Sequence, residues 1–421
     1  MTLEPGLSER ECAARTGTAV LYISYTGLLD PLGQSQVLQY LVGLARVHRI
    51  TLLTFEKPAA LARTDDVEAV ALHCRKAGID WHRLVYHNRP GIPATVYDIA
   101  RGIVRALGLV RGGQVEMIHC RSYIAGLIGL AVMRWTGARL IFDMRGFWPD
   151  ERVDGGIWKR DSLRYRFFKR VERWLLTSAD HVVSLTRSGA AELAQFPYLI
   201  DDLPPISVIP TCVNLELFRP MPSPLPHRAG FTLGYVGSCG SWYRFDRVAR
   251  AVAELFRQRP DARFLVINQG DQNEIYSQLA GAGVDAARVE VRGVAFDQVG
   301  EQIARMDAGI FFIKPVFSKR ASCPTRMGEF LACGKPCLTN AGVGDVAEDL
   351  HESGAGIALV GLDAEALATG VRRLVELAAQ PEIAARCRQA AEQRFALAGG
   401  VDSYDRIYRM LGNAPSDWAA R

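Results

Sequence analysis

Short, almost wholly apolar runs recur along this chain. Most are followed by a longer segment whose apolar residues return every third or fourth position, the signature of strand and helix in alternation. The first run, 19–24 (AVLYIS), has no polar face, as expected of a parallel strand buried on both sides. A glycine-bearing loop, TGLLDPLGQSQ, leads to a helix from about 34 to 47, and strand 50–55 closes a βαβ unit. The pattern then predicts helix 65–77, an extended segment near 82–86, helix 95–111, strand 115–119, helix 123–135 and strand 138–142. Helix 160–177, strand 181–185, a helix near 188–196 and strand 206–209 complete the series.

Prolines at 220, 222, 224 and 226 mark a linker, and a second alternating series opens at 231–236. It runs through helix 244–257, strands 263–267 and 288–292, helix 297–306, strand 308–313, helix 325–333, strand 336–339 and helices 363–379 and 381–395. Segment 401–412 is amphipathic and is expected to cross back onto the first domain. The predicted fold is α/β: two Rossmann-like domains facing a central cleft, with ligands outside the carboxyl ends of the strands. The expected divisions are a flexible leader 1–18, a first Rossmann-like domain 19–219, a linker 220–228, a second Rossmann-like domain 229–397 and a C-terminal helix 398–421 packing on the first domain.

With 421 residues the chain is long enough for such a pair, and 49% hydrophobic with 23% charged residues fits a globular protein. A net charge of +5 with scattered arginines argues against a dedicated nucleic-acid binder and suits phosphorylated ligands or an anionic membrane. Nine cysteines without a C-x2-C pair point to a reduced, cytoplasmic setting and to no metal knuckle. No apolar run reaches the ~18 residues of a membrane span.

The richest chemistry lies in 321–345, ASCPTRMGEFLACGKPCLTNAGVGD. Ser322, Pro324 and Thr325 stand where a helix begins, and Arg326 falls in its first turn. A helix start presents unpaired N–H groups and a positive dipole end, and Arg326 adds a planar fork suited to phosphate oxygens. Glu329 follows about one turn on, where it can accept ribose hydroxyls. A capped helix of an ordinary α/β domain explains the same residues equally well.

SCPTRMGEFLACGKP followed by NAGVGD resembles the donor-nucleotide region of GT-B glycosyltransferases, and more narrowly of the retaining family that builds bacterial capsule, O-antigen and lipopolysaccharide (family 4-like). DPLGQSQVLQYLVGLA, IFDMRGFWPDERVDGGIW, IPTCVNLELF and GYVGSCGSWYRFD resemble further segments of that group, in order, from about 19 to 412. The resemblance implies a hexosyl-type transfer with retention, without a metal; no Asp-x-Asp occurs. The nucleoside-diphosphate sugar would be a substrate, so no cofactor is expected, and the other partner would be a saccharide or lipid-linked acceptor. The chain departs from the family where the first of two glutamates would fall on Ala321. Ser238 stands at the position of a usual arginine, with Tyr243 and Arg244 at or beside that of a usual lysine.

Donor contacts are therefore expected from Gly33 and Gln34 of the first domain, and from Ser238, Gly240, Tyr243, Arg244, Ser322, Thr325, Arg326 and Glu329 of the second. Asp143, at the position of a family histidine, with Arg145 and Glu151, are the candidate catalytic or orienting groups; a salt-bridge cluster of Asp143 with Arg145 or Arg152 is the structural alternative. Gly27, His119 and Trp148 are candidate acceptor residues. Residues 158–174 hold seven Lys/Arg against two acids among aromatics, and Arg101 and Arg105 lie a turn apart beside Ile99, Ile103 and Leu107. Both fit either solvated helix faces or contact with the inner membrane face. A nucleotide-sugar epimerase on the same scaffold, or a binding protein without turnover, are the rival readings.

Overall fold

A computed structural model describes residues 17–111, 115–221, 230–240, 242–270 and 272–413. The leader expected at 1–18 and the linker at 220–228 lie largely outside the described residues.

The first domain is a parallel seven-stranded sheet in the order β3-β2-β1-β4-β5-β6-β7. Its strands are β1 (Ala19–Ser24), β2 (Arg49–Glu56), β3 (Ile79–Val85), β4 (Met117–Arg121), β5 (Arg139–Asp143), β6 (His181–Ser184) and β7 (Ile206–Val208). The second is a parallel six-stranded sheet, β10-β9-β8-β11-β12-β13. It is formed by β8 (Thr232–Val236), β9 (Arg263–Ile267), β10 (Val289–Arg292), β11 (Ala308–Ile310), β12 (Cys337–Asn340) and β13 (Gly356–Leu359). Both orders reverse direction beside their first strand, between β1 and β4 and between β8 and β11. At such switch points the loops leaving neighbouring strands diverge and open a crevice. β1, with every residue buried, is the continuous apolar run that two-sided helix cover demands.

Helices Trp148–Asp154, Gln272–Gly281 and Val346–Ser353, and strand β13, are elements that periodicity did not single out. Three are short, and Gln272–Gly281 buries only Ile275 and Leu279, too sparse a stripe to stand out.

Helix Leu397–Gly412 does cross back onto the first domain. Val213 N–H donates to the Phe395 carbonyl (2.7 Å) and Leu397 N–H to that of Val213 (3.0 Å), which steers the chain across. Tyr404, Ile407, Tyr408 and Leu411 then bury themselves against the Tyr40 and Leu44 side of the first sheet.

A second seam closes one end of the cleft. Asp345 caps the start of helix Arg187–Leu193 from the other domain, accepting from the N–H groups of Arg187 (2.6 Å) and Ser188 (2.9 Å). Asp154 accepts from Ser318 N–H (2.9 Å), and Lys319 Nζ meets Glu151 Oε1 at 2.7 Å. Ala321, wholly buried, packs into the apolar layer of the first domain. A Cβ built on Gly189 would stand 2.8 Å from that of Ala321. The missing family glutamate therefore leaves room for two domains to touch.

Candidate active site

Two cavities meet between the domains. The first, about 590 Å³, is lined by Val236 at the end of β8 with Gly237 and Ser238 after it, by Asn268 and Gln269 after β9, and by Pro324, Thr325, Arg326 and Glu329. Helix Thr325–Ala332 begins after Pro324 with no side-chain cap, and its third amide, Met327, turns back to the Pro324 carbonyl (3.1 Å). The Thr325 and Arg326 N–H groups stay free for an anion.

Arg326 is 7% exposed, and its Nη1 has no hydrogen-bond partner. Its guanidinium lies 4.1 Å from the Tyr243 ring centre and 4.9 Å from that of Tyr235, a stack that fixes the fork. Burial opposes the charge, but the rings of Tyr235 and Tyr243 and the carboxylate of Glu329 more than hold it. Gly237 makes the space: a Cβ there would meet Arg326 Nη2 at 2.4 Å, and its φ of 108° suits only glycine. Glu329 is 8% exposed, and burial pushes its carboxyl up to about 7 against the pull of Arg326.

The second cavity, about 840 Å³, belongs to the first domain. Its walls are aromatic and aliphatic: Tyr25, Phe55, Ile92, Val96, Trp148, Phe168 and neighbours, with Arg121, Arg152 and Arg164 among them. Trp148 is its hub, 5.3 Å from Trp158, 4.8 Å from Phe168 and 5.0 Å from the Arg152 guanidinium. Thr26, Asp30 and Lys57 line both cavities, and Lys57 Nζ pairs with Asp30 at 2.9 Å. Whatever the two cavities hold would meet at these three residues.

Of the expected donor residues, Ser238, Tyr243, Thr325, Arg326 and Glu329 come together in the first cavity. Gly240 and Ser322 do not line it; Ser322 N–H is spent on the Lys319 carbonyl (3.1 Å). Arg244 is turned away, chelating Asp246 through Nε and Nη2, both at 2.9 Å. In the first domain the helix starts three residues early, at Pro31, so the Gln34 N–H donates within it to Asp30 (3.1 Å) and is not free. Gly33 serves packing, since a Cβ there would sit 1.9 Å from the Gly27 carbonyl. Gly27 and Trp148 line the second cavity.

Asp143 and His119 line neither cavity. Both are 1% exposed beneath the crossing helix, where Tyr404 OH donates to Asp143 (3.0 Å) and His119 Nδ1 meets Tyr408 OH (2.7 Å). Arg145 Nη1 stands 3.7 Å from Asp143 Oδ2. Burial works to raise the Asp143 carboxyl, and Arg145 and His119 outweigh it and hold it below the usual range. The salt-bridge alternative is what the structure contains, and Glu151 is likewise committed to Lys319.

Sequence reasoning missed Glu56. Its two oxygens accept from the N–H groups of Leu28 (2.8 Å) and Leu29 (3.1 Å). The glycine loop thus carries its own internal anion. Lys57, at the junction, was missed too; a charged pair at the carboxyl end of a strand was the available signal.

A glycosyl transferase 4-like domain model matches residues 33–210, and a glycosyl transferases group 1 model matches 230–377. The D-inositol 3-phosphate glycosyltransferase of Streptomyces scabiei is 26% identical over 316 residues, 71% of this chain and 68% of that protein. Of the curated relatives it matches, the chain spans from 42% to 72% of their length. In structure, sucrose-phosphate synthase from Thermosynechococcus elongatus superposes with a TM-score of 0.70 at 16% identity, over 96% of this chain and 100% of that one. Anabaena HepE in complex with UDP-glucose gives 0.67 at 14%, over 93% and 99%. With a family model matched in each domain and the whole fold superposing on these structures, the chain belongs to the GT-B glycosyltransferases, family 4-like.

Proposed function

We propose that the protein moves a sugar from a nucleoside diphosphate to a saccharide or lipid-linked acceptor, with retention and without a metal, in cell-surface polysaccharide or glycolipid assembly. The observation that carries this reading is the buried Arg326 fork, one nitrogen unpaired, beside two free helix amides in a cleft of about 590 Å³. As the C1–O bond breaks, negative charge grows on the departing diphosphate, and fixed donors aimed there supply the largest catalytic term. The acceptor hydroxyl forms the new C1–O bond on the same face, and its proton passes to the departing phosphate oxygen. Glu329 holds the ribose, and Lys57 adds charge at the junction. HepE, solved with UDP-glucose, supports a nucleotide-sugar donor by likeness of fold.

An epimerase working on the donor alone has no use for a second cavity of about 840 Å³ opening onto the first. That favours transfer. No helix among the described residues is long and apolar enough to cross a membrane. The reading includes cytoplasmic work at the inner membrane face, supported by Val104 (73% exposed) and Leu163 (81%) on helices rich in arginine. A thermal-shift panel of UDP-, GDP- and dTDP-sugars tests the donor class, since only a true ligand raises the melting point strongly. Donor incubated alone and with acceptor, in chelator, then separates transfer from epimerisation. A wild-type protein that no nucleotide sugar stabilises would refute the reading.

A further inference from the structure

Arg121 ends β4, is 6% exposed, and lines the second cavity. Its Nε is buried without a partner, and neither a hydrogen bond nor an ion pair reaches its guanidinium within the described residues. A buried charge without a partner costs several kcal/mol unless something pairs with it. The neighbourhood does not balance it. Around Arg121 stand Arg145, Asp143, Tyr22, Tyr404 and His119. Two guanidiniums face one carboxylate, and burial pushes the His119 imidazole down, toward its neutral form. One positive charge is left over at the head of the cavity.

A second observation falls on the same spot. Helix Ser122–Thr136 starts immediately after Arg121, with no side-chain cap. Arg121, Ser122, Tyr123 and Ile124 all line the cavity. Ser122 holds a φ of 70°, and Arg145, at the end of the next strand, a φ of 59°; they are the two non-glycine residues with positive φ among those described. Such backbone costs on the order of 1–2 kcal/mol per residue and persists where the surroundings enforce it. Here it brings an uncapped helix start and an unpaired guanidinium to one point, the geometry that takes an oxyanion. Arg152 and Arg164 lie farther along the same wall, between Trp148, Phe167 and Phe168.

We propose that the second cavity recognises an acceptor bearing a phosphate, seated on Arg121 and the first amides of helix Ser122–Thr136, with apolar substituents lying along the aromatic wall. The identity of the cavity as the acceptor site rests on the function proposed above; the anion site does not. The phosphate of a lipid carrier and that of a soluble sugar phosphate share this chemistry, and the length of the apolar part separates them.

The test is calorimetric binding of inorganic phosphate, octyl phosphate and neutral octyl glucoside to the full chain, to Arg121→Gln and to Arg121→Lys, with UDP titrated in parallel. Octyl phosphate should bind wild type at least tenfold more tightly than octyl glucoside. Arg121→Gln should weaken octyl phosphate by roughly 10- to 100-fold, the usual worth of a charge-assisted bond. Arg121→Lys should recover part of that, and UDP affinity should not move in either variant. The melting temperature of ligand-free Arg121→Gln should hold or rise, because an uncompensated buried charge has gone; a merely structural arginine would lower it. Octyl phosphate binding much more tightly than inorganic phosphate identifies a lipid-like acceptor, and equal binding of the two a soluble one. Unchanged octyl phosphate affinity in Arg121→Gln, or a loss of UDP affinity instead, overturns the proposal. A chain that binds octyl phosphate through Arg121 but no nucleotide sugar keeps this inference and refutes the transferase reading.

Discussion

Two helix starts in this molecule stand at the cleft, one in each domain, and the amides at and before them do opposite work. In the second domain the helix at Thr325 leaves its first amides free and adds a buried guanidinium with an unpaired nitrogen. In the first domain the loop before Pro31 has its amides satisfied by the chain itself, through Glu56. The local sequences look alike as anion sites. What separates them is a carboxylate at the end of β2, over twenty residues away in sequence. A helix start is a site only when the fold does not bring its own anion.

The largest expected effect breaks the open half. Arg326→Ala should weaken nucleotide-sugar affinity or turnover on the order of a hundredfold, the usual loss for one preorganised donor. Arg326→Lys should rescue little, because an ammonium lacks the planar fork stacked on Tyr243. Titration of the UDP-sugar found by thermal shift measures this, and a loss under threefold would mean the diphosphate sits elsewhere.

Glu56→Ala is the converse change in the closed half. It removes the acceptor for the Leu28 and Leu29 amides and for Thr54 Oγ1 (2.7 Å), all buried. Unfolding by urea should show a loss of about 3 kcal/mol, with donor affinity nearly unchanged in the folded protein. If instead donor affinity fell as far as with Arg326→Ala, the two halves would not differ in the way described.

The contrast also explains what the sequence could and could not convey. Both sheets and the returning helix were legible because each has a local signature: β1 is a pure apolar run, and Tyr404, Ile407, Tyr408 and Leu411 keep helical spacing. That Thr325, Arg326 and Glu329 would stand together could be read from the sequence, because a helix start is itself a local event. Asp143 and His119 were misplaced because the strand ends that carry them are covered by a helix more than 250 residues later, and Arg244 because Asp246 captures it. Glu56 and the tyrosines of the returning helix reach their sites from distant parts of the chain, which no local pattern reports, whereas Asp246 stands two residues from Arg244 and was there to be read.

A pH profile sharpens the comparison at about tenfold. The Glu329 carboxyl, pushed up to about 7 by burial, is neutral well below that pH. A raised carboxyl favours the folded state below its ordinary pKa of about 4.5, and that contribution is lost as pH rises through about 7. A ribose held by the ionised form follows the opposite slope. UDP affinity should therefore rise roughly tenfold between pH 6 and 8, as the ionised fraction does. In Glu329→Gln the slope should flatten; a slope that survives belongs to another group.

The smallest effect concerns the seam that holds both halves at this separation. Glu151 and Lys319 bridge the domains at 2.7 Å, and Lys319 Nζ also lies 4.0 Å from the Trp242 ring centre. Lys319→Met removes both contacts, whereas Glu151→Gln leaves the ammonium on the ring, so neither single change measures the bridge. The double-mutant cycle does. Glu151 is a quarter exposed, so water screens the pair, and a coupling of about 1 kcal/mol is expected from thermal unfolding. A coupling near zero would mean that the other ties between the domains, the returning helix, Asp345, Asp154 and the Ala321–Gly189 contact among them, hold the seam without it. A coupling of about 1 kcal/mol makes the bridge one of several weak ties that together favour this arrangement of the two domains.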